Sequence, residues 1–318
     1  MAAARSAGKQ ETRRPPVSTD WRTLSLLLGV LIGYTSINLL LRDVAGRVPA
    51  TVVAMWRLAP LFLYAAAMSA QPKEREVLRN ALRSGARNWK AVVGLVAGGV
   101  SSYVVGNTVF QHALALGGVG IASPASQGGV IWTALIVGAL WFRETPGRHR
   151  IVGTLAMVAG IGLISWQHGL SVGSSAVVGA LVGAAAGACW ALSSVMLRNA
   201  YNYGFTPTSA QLINSGAGFL ILLVISISNV GWGGLVPEGN YIIPMLLAGV
   251  LNAATLTFVA LAVQRTEVVV VNMFSAGSMA LSTLGGVWLF GEPWSVTVAL
   301  GLLFTVGGLI YAQRTPSR

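Results

Sequence analysis

Long apolar runs separated by short polar segments dominate the chain. Ten of them approach the roughly 20 apolar residues that a helix needs to cross a bilayer. They lie at 22–41, 50–69, 91–115, 119–142, 150–167, 174–197, 207–229, 241–263, 267–290 and 295–312. The pattern predicts an all-α integral membrane protein with ten transmembrane helices. Pro49, Pro207 and Pro293 stand at or just before helix starts, where a missing N–H costs little. Thr145 followed by Pro146 marks the fifth helix in the same way. Pro60 and Pro124 fall inside runs, where they loosen the backbone and neighbouring helices must compensate.

Composition supports this reading. The hydrophobic fraction is 54% and the charged fraction 9%, against roughly 25% charge in soluble domains. So few charges cannot cover a water-exposed surface of this size. The 39 Gly agree, because small residues let membrane helices approach closely. The lone Cys189 lies in an apolar run and reads as a packing residue. It rules out an internal disulfide, and zinc-ligand spacing is absent.

The net charge of +12 does not signal nucleic acid, because the cations sit in loops between apolar runs. With the N-terminus inside, 18 of the 21 Lys and Arg fall on the cytoplasmic side. Arg42 and Arg47 fall outside, and Arg57 lies within the second run. This asymmetry predicts a multi-pass protein of the cell inner (plasma) membrane with both termini cytoplasmic. Residues 1–20 and 314–318 read as cytoplasmic tails, the first of them disordered. In the loop 70–90, Arg75, Arg79, Arg83 and Arg87 recur every four residues, opposite Val77, Leu78, Ala81 and Leu82. That spacing predicts a short helix lying on the inner membrane surface.

An internal repeat appears at a shift of 148 positions. Phe142 and Glu144 fall on Phe290 and Glu292; Gly153, Leu155, Val158 and Gly160 fall on Gly301, Leu303, Val306 and Gly308. The halves, 21–168 and 169–313, hold five runs each, so the second is upside down relative to the first. Inverted repeats recur in secondary transporters, where two equivalent halves exchange shapes. Glu144 and Glu292 each precede a helix start and read as carboxylates meeting free N–H groups there.

These residues give the chain its resemblance to a known family. From about residue 22 to 312 it resembles the EamA family of the drug/metabolite transporter superfamily. The likeness rests on the duplication of five runs, the Phe-x-Glu ending runs four and nine, and the stretch Pro49 to Arg57. It also rests on the alanine-rich segment after His112 and on Pro124. The resemblance implies a basket around a central cavity lined by helices three, four, eight and nine. Helices one, two, six and seven would be moving gates, and helices five and ten peripheral, at a homodimer contact. In one departure the second half has Asn272 where the shift would bring Pro124.

A polar group buried in lipid without a partner costs roughly 2–7 kcal/mol. Such groups bond one another, line water or hold substrate. Tyr103, Asn107 and Gln111 recur every fourth residue and so share a helix face. Gln127, Asn252, Asn272 and Ser275 lie on the other implied lining helices, and Tyr34 and Asn38 on the first. Arg57 stands about 10 Å below the outer start of its helix, at 1.5 Å per residue. It reads either as an anchor for a carboxylate or phosphate or as a hydrogen-bonding strut. These ten residues form the candidate substrate site. His112 is the candidate proton carrier, because histidine is the side-chain type that changes charge near neutral pH. Trp190 reads as packing, and Gly179, Gly183 and Gly187 as a helix contact stripe.

No HExxH or Walker A stands in the sequence, and no metal or cofactor is called for. The expectation is therefore a secondary transporter, an exporter of small metabolites such as amino acids, working in the lipid bilayer by alternating access. Two other readings are an exchanger of phosphorylated or nucleotide-linked metabolites and a membrane sensor or scaffold that transports nothing.

Overall fold

The computed structural model describes residues 20–83, 88–141, 147–172, 175–263, 265–266 and 268–312. Of the terminal tails only Asp20 lies within these, and Glu144, Arg87 and the side chain of Asn272 lie outside them. Every regular element among the described residues is helical. The helices are α1 (Trp21–Val44), α2 (Ala50–Ser69), α3 (Pro72–Arg83), α4 (Trp89–Gly99) and α5 (Asn107–Trp141). They continue with α6 (Arg148–Val172), α7 (Ser175–Tyr201), α8 (Pro207–Val230), α9 (Ile242–Val263), α10 (Val268–Phe290) and α11 (Val296–Ala312). A π-helical stretch, Val100–Gly106, joins α4 to α5.

Local chemistry sets the helix ends. Asp20 accepts from the N–H of Arg22 at the start of α1. At α8, Pro207 occupies the first turn and Thr206 accepts from the N–H of Ser209 at 3.1 Å. Ser295 accepts from the N–H of Val298 at 3.2 Å and caps α11. The loop helix predicted at 70–90 is α3. Arg75, Arg79 and Arg83 are exposed and Ala81 is buried. It is tied to the bundle where the Thr206 hydroxyl donates to Glu74 at 2.7 Å.

The runs 91–115 and 119–142 meet at a sharp break. Gly118 has φ 70° and ψ 177°, outside the helical region. Before the break the chain runs antiparallel to α7: Gly94 lies against Met196, Gly98 against Ser193, Gly106 against Trp190 and Gly117 against Gly179. After it the chain runs parallel to α7: Gly183 faces Ala122 and Ala125, and Gly187 faces Ser126 and Val130. The chain therefore reverses direction at Gly118, and α5 has two arms, 107–117 and 119–141. The small-residue stripe on α7 is the surface that permits this close packing.

Among the described residues six segments are long and apolar enough to cross a membrane: Trp21–Val44, Ala50–Ser69, Trp89–Thr133, Ser175–Tyr201, Pro207–Val230 and Gly239–Val259. Ile151–Gly160, Gly277–Phe290 and Val296–Gly308 are shorter apolar helices. Large apolar side chains stand exposed on the outside of the bundle, among them Leu63, Leu181, Val224 and Leu303. Trp21, Trp232, Trp288 and Trp294 are exposed close to helix ends. An apolar exterior with tryptophans at helix ends suits lipid and its interfaces.

The packing partners of α1 and α7 define the architecture. Helix α1 runs antiparallel to α9, with Gly29 against Phe258 and Gly33 against Thr255. It runs parallel to α10, with Leu31 against Gly277 and Leu39 against Gly285. The last turns of α1 pack near Leu114 and Val119, beside the break at Gly118. The first turns of α7 also meet that break. The end of α1 and the start of α7 thus share one end of the bundle, and the two helices point in opposite directions. At the edge, α6 and α11 pack antiparallel. Gly160 lies against the carbonyl of Gly301, and Gly308 against that of Gly153.

Candidate functional site

A cluster of polar side chains sits where α2, the π-stretch, the first arm of α5, α7 and α8 converge. Its centre is Asn107, buried at the junction of the π-stretch and α5. The Asn107 Oδ1 accepts from Arg57 Nη1 at 3.4 Å and from Trp190 Nε1 at 3.2 Å. Two donors on one oxygen fix the orientation of the amide. One turn earlier, Tyr103 Oη accepts from Gln211 Nε2 at 2.6 Å. Tyr34 on α1 and Tyr103 both lie within electrostatic reach of Arg57. The ring of Trp190 is backed by Phe110, with centroids 5.2 Å apart and planes tilted by 57°.

Arg57 is half-buried, and its Nε is buried without a hydrogen-bond partner. Among the described residues the ion pairs are Arg42–Glu292 at 3.0 Å and Arg47–Asp43 at 3.5 Å, so no carboxylate offsets Arg57. No group of His, Cys, Asp and Glu among the described residues could hold a metal.

The residues named from sequence fall into several environments. Arg57, Tyr34, Tyr103 and Asn107 come together in the cluster. Gln111 is buried and donates to the carbonyl of Leu41 at 2.9 Å, which ties α5 to α1. Asn38 bridges three helices, donating to Ser123 Oγ at 3.1 Å and Ser282 Oγ at 3.2 Å. The Ser275 hydroxyl donates to Val271 one turn earlier in its own helix. Gln127 and Asn252 are half-buried, on the second arm of α5 and on α9, and Asn272 is on α10. His112 is exposed.

The even spacing of Tyr103, Asn107 and Gln111 does not deliver them to one partner. They bond α8, α2 with α7, and α1 in turn. The π-stretch accounts for part of this spread. Its wider turn rotates Tyr103 relative to what an unbroken 3.6-residue helix would give. Trp190 and Gln211 complete the cluster, although neither stood out in the sequence from ordinary membrane tryptophan and helix-end amide.

Glu292 is a buried charged group, 9% exposed. It does not cap α11, which Ser295 does. Instead its carboxylate accepts from the N–H of Val119 at 2.8 Å and of Gly120 at 2.9 Å, at the start of the second arm of α5. Arg42 pairs with the same carboxylate and lies 5.7 Å from the Phe290 ring centroid. The expectation that Glu292 meets the N–H groups of the helix it precedes is thus corrected: the N–H groups it binds belong to α5, far away in the sequence.

No protein-family model matches the chain, and no curated protein matches it. A solved structure described only as "Crystal structure of protein" superposes on it with a TM-score of 0.59 at 17% identity. That match covers 93% of this chain and 97% of the other, and at this identity it speaks for the fold alone.

Proposed function

We propose that the chain is a secondary transporter of small metabolites, of the kind found in the EamA family of the drug/metabolite transporter superfamily. In this reading ten spans form two inverted five-helix halves, both termini are cytoplasmic, and the halves alternate access to a site between them. The observation that carries it is the polar cluster around Arg57. It draws Arg57, Tyr103 and Asn107 from the first half and Trp190 and Gln211 from the second, and it holds a half-buried cation with no counter-charge among the described residues.

The packing supports the two-fold element of the proposal. Gly160 meets Gly301 and Gly308 meets Gly153, which is a reciprocal exchange under the 148-residue shift. The pairs α1–α9 and α7–α4 are likewise exchanged, both antiparallel. Opposed directions of α1 and α7 are what inversion requires. A structure made of two equivalent halves with a polar seam has two ways to open.

Purified protein reconstituted into liposomes tests the reading by uptake or counterflow over a panel of amino acids and other small metabolites. Saturable flux of at least one compound, strongly reduced by Asn107→Ala, is expected. Flux unaffected by Asn107→Ala would remove the site. Absence of flux for the whole panel would favour a sensor or scaffold.

A further inference from the structure

A guanidinium taken out of water loses several kcal/mol of solvation unless an anion or a full set of acceptors replaces it. Arg57 has neither among the described residues. Its Nη1 makes one long bond, 3.4 Å, to an amide oxygen that also serves Trp190. The Nε of the fork is buried and has no hydrogen-bond partner. Glu292, the one buried carboxylate among the described residues, is taken by Arg42 and two backbone N–H groups. The Tyr34 and Tyr103 side chains beside Arg57 are neutral phenols near pH 7.

From this arrangement we infer that the ligand of the site is a monocarboxylate, held through the unpartnered Nε of Arg57; as a statement about cargo, this rests on the transporter reading. A carboxylate has two oxygens spaced to match one edge of a guanidinium, and the charge-assisted pair is stronger than neutral hydrogen bonds. One positive charge balances one negative charge. A phosphate dianion would leave a negative charge unbalanced, and among the described residues no second Lys or Arg bonds within the cluster. An amine would meet Arg57 as a like charge. The ring of Trp190, supported by Phe110, offers a flat apolar wall to the rest of the ligand. A zwitterionic amino acid fits through its carboxylate, its ammonium directed to phenol or carbonyl oxygens.

The test uses full-length protein in nanodiscs of neutral lipid and reads the melting temperature. Four probes share a phenyl body: phenylacetate, L-phenylalanine, phenethylamine and phenyl phosphate. Acetate, lactate, benzoate and indole-3-acetate widen the carboxylate set. Carboxylates are expected to raise the melting temperature, with phenethylamine and phenyl phosphate without effect. Arg57→Gln is expected to abolish the preference. Arg57→Lys is expected to keep it with about tenfold weaker binding, since an ammonium lacks the planar fork. An amine or phosphate that stabilises as well as the carboxylates overturns the inference. So does a carboxylate preference that survives Arg57→Gln, or failure of every carboxylate at tens of millimolar. If Arg57→Gln does not fold, the order of probes on the unaltered protein decides. Carboxylate binding without flux in liposomes would sink the transporter reading and leave this one standing. Flux of compounds lacking a carboxylate, indifferent to Arg57→Gln, would do the reverse.

Discussion

The charge on Arg57 can be offset from within the protein by a single change one bond away. Asn107 already places its Oδ1 on Arg57 Nη1. Asn107→Asp keeps the shape and turns that oxygen into a carboxylate oxygen, which makes an internal ion pair. Such a pair supplies a cation with the counter-charge it lacks among the described residues, and it also occupies the charge that a ligand would use. The ligand-free protein is therefore expected to melt at or above the temperature of the unaltered protein. Stabilisation by phenylacetate should disappear. A variant that melts normally and still responds to phenylacetate would show that Arg57 is not the anion receptor. The Trp190 bond to the same oxygen survives the change, so loss of ligand response would not reflect loss of that contact.

At the scale of elements, the hairpin of α5 is held by Glu292 and permitted by Gly118. The backbone of Gly118, at φ 70° and ψ 177°, is in a region that only glycine enters at low cost, and another residue there costs about 1–3 kcal/mol. A Cβ at this position would also collide with the Glu292 carboxylate. Gly118→Ala is therefore expected to destabilise the protein by more than the backbone penalty alone, read as a lowered melting temperature in detergent. Glu292→Gln keeps the volume but removes the charge that Arg42 and two N–H groups share. About 2 kcal/mol is expected, as for hydrogen bonds to a charged group. If Arg42→Gln in the Glu292→Gln background costs as much as Arg42→Gln alone, the ion pair contributes nothing.

The same elements explain what could be read from sequence. Helix α2 was legible to the residue, because Pro49 starts it and a polar stretch ends it. The reversal at Gly118 was legible as a gap between apolar runs. The π-stretch was not. A change from i→i+4 to i→i+5 bonding alters no composition, and it moved Tyr103 away from its expected partners. The partner of Glu292 lay about 170 residues away in sequence, beyond any local capping rule. Arg57 stood out early because a charge in an apolar run is costly. Trp190 did not, because tryptophan is ordinary membrane packing until its N–H is seen to point at an amide.

For the whole molecule, the central question is whether the two ends of the bundle face opposite sides of a membrane in the order that the charges require. Gln71 and Asn202 are exposed at the end shared by the start of α4 and the end of α7, where Asn88 bonds the carbonyls of Ala81 and Tyr203. Asn240 and Pro293 are exposed at the other end, next to Tyr241 and Glu292, which pack on the last turns of α1. In the proposed orientation the excess of Lys and Arg around the first pair puts that end in the cytoplasm. Single cysteines at these four positions, in a Cys189→Ser background, should divide accordingly. A membrane-impermeant maleimide applied to intact cells should label Asn240→Cys and Pro293→Cys. It should reach Gln71→Cys and Asn202→Cys only after permeabilisation. Labelling in the opposite order would invert the protein in the membrane and leave its inner symmetry untouched. Labelling of Asn240→Cys and Gln71→Cys from the same side would be graver, because one span between them would then be missing and the paired halves could not both cross the bilayer.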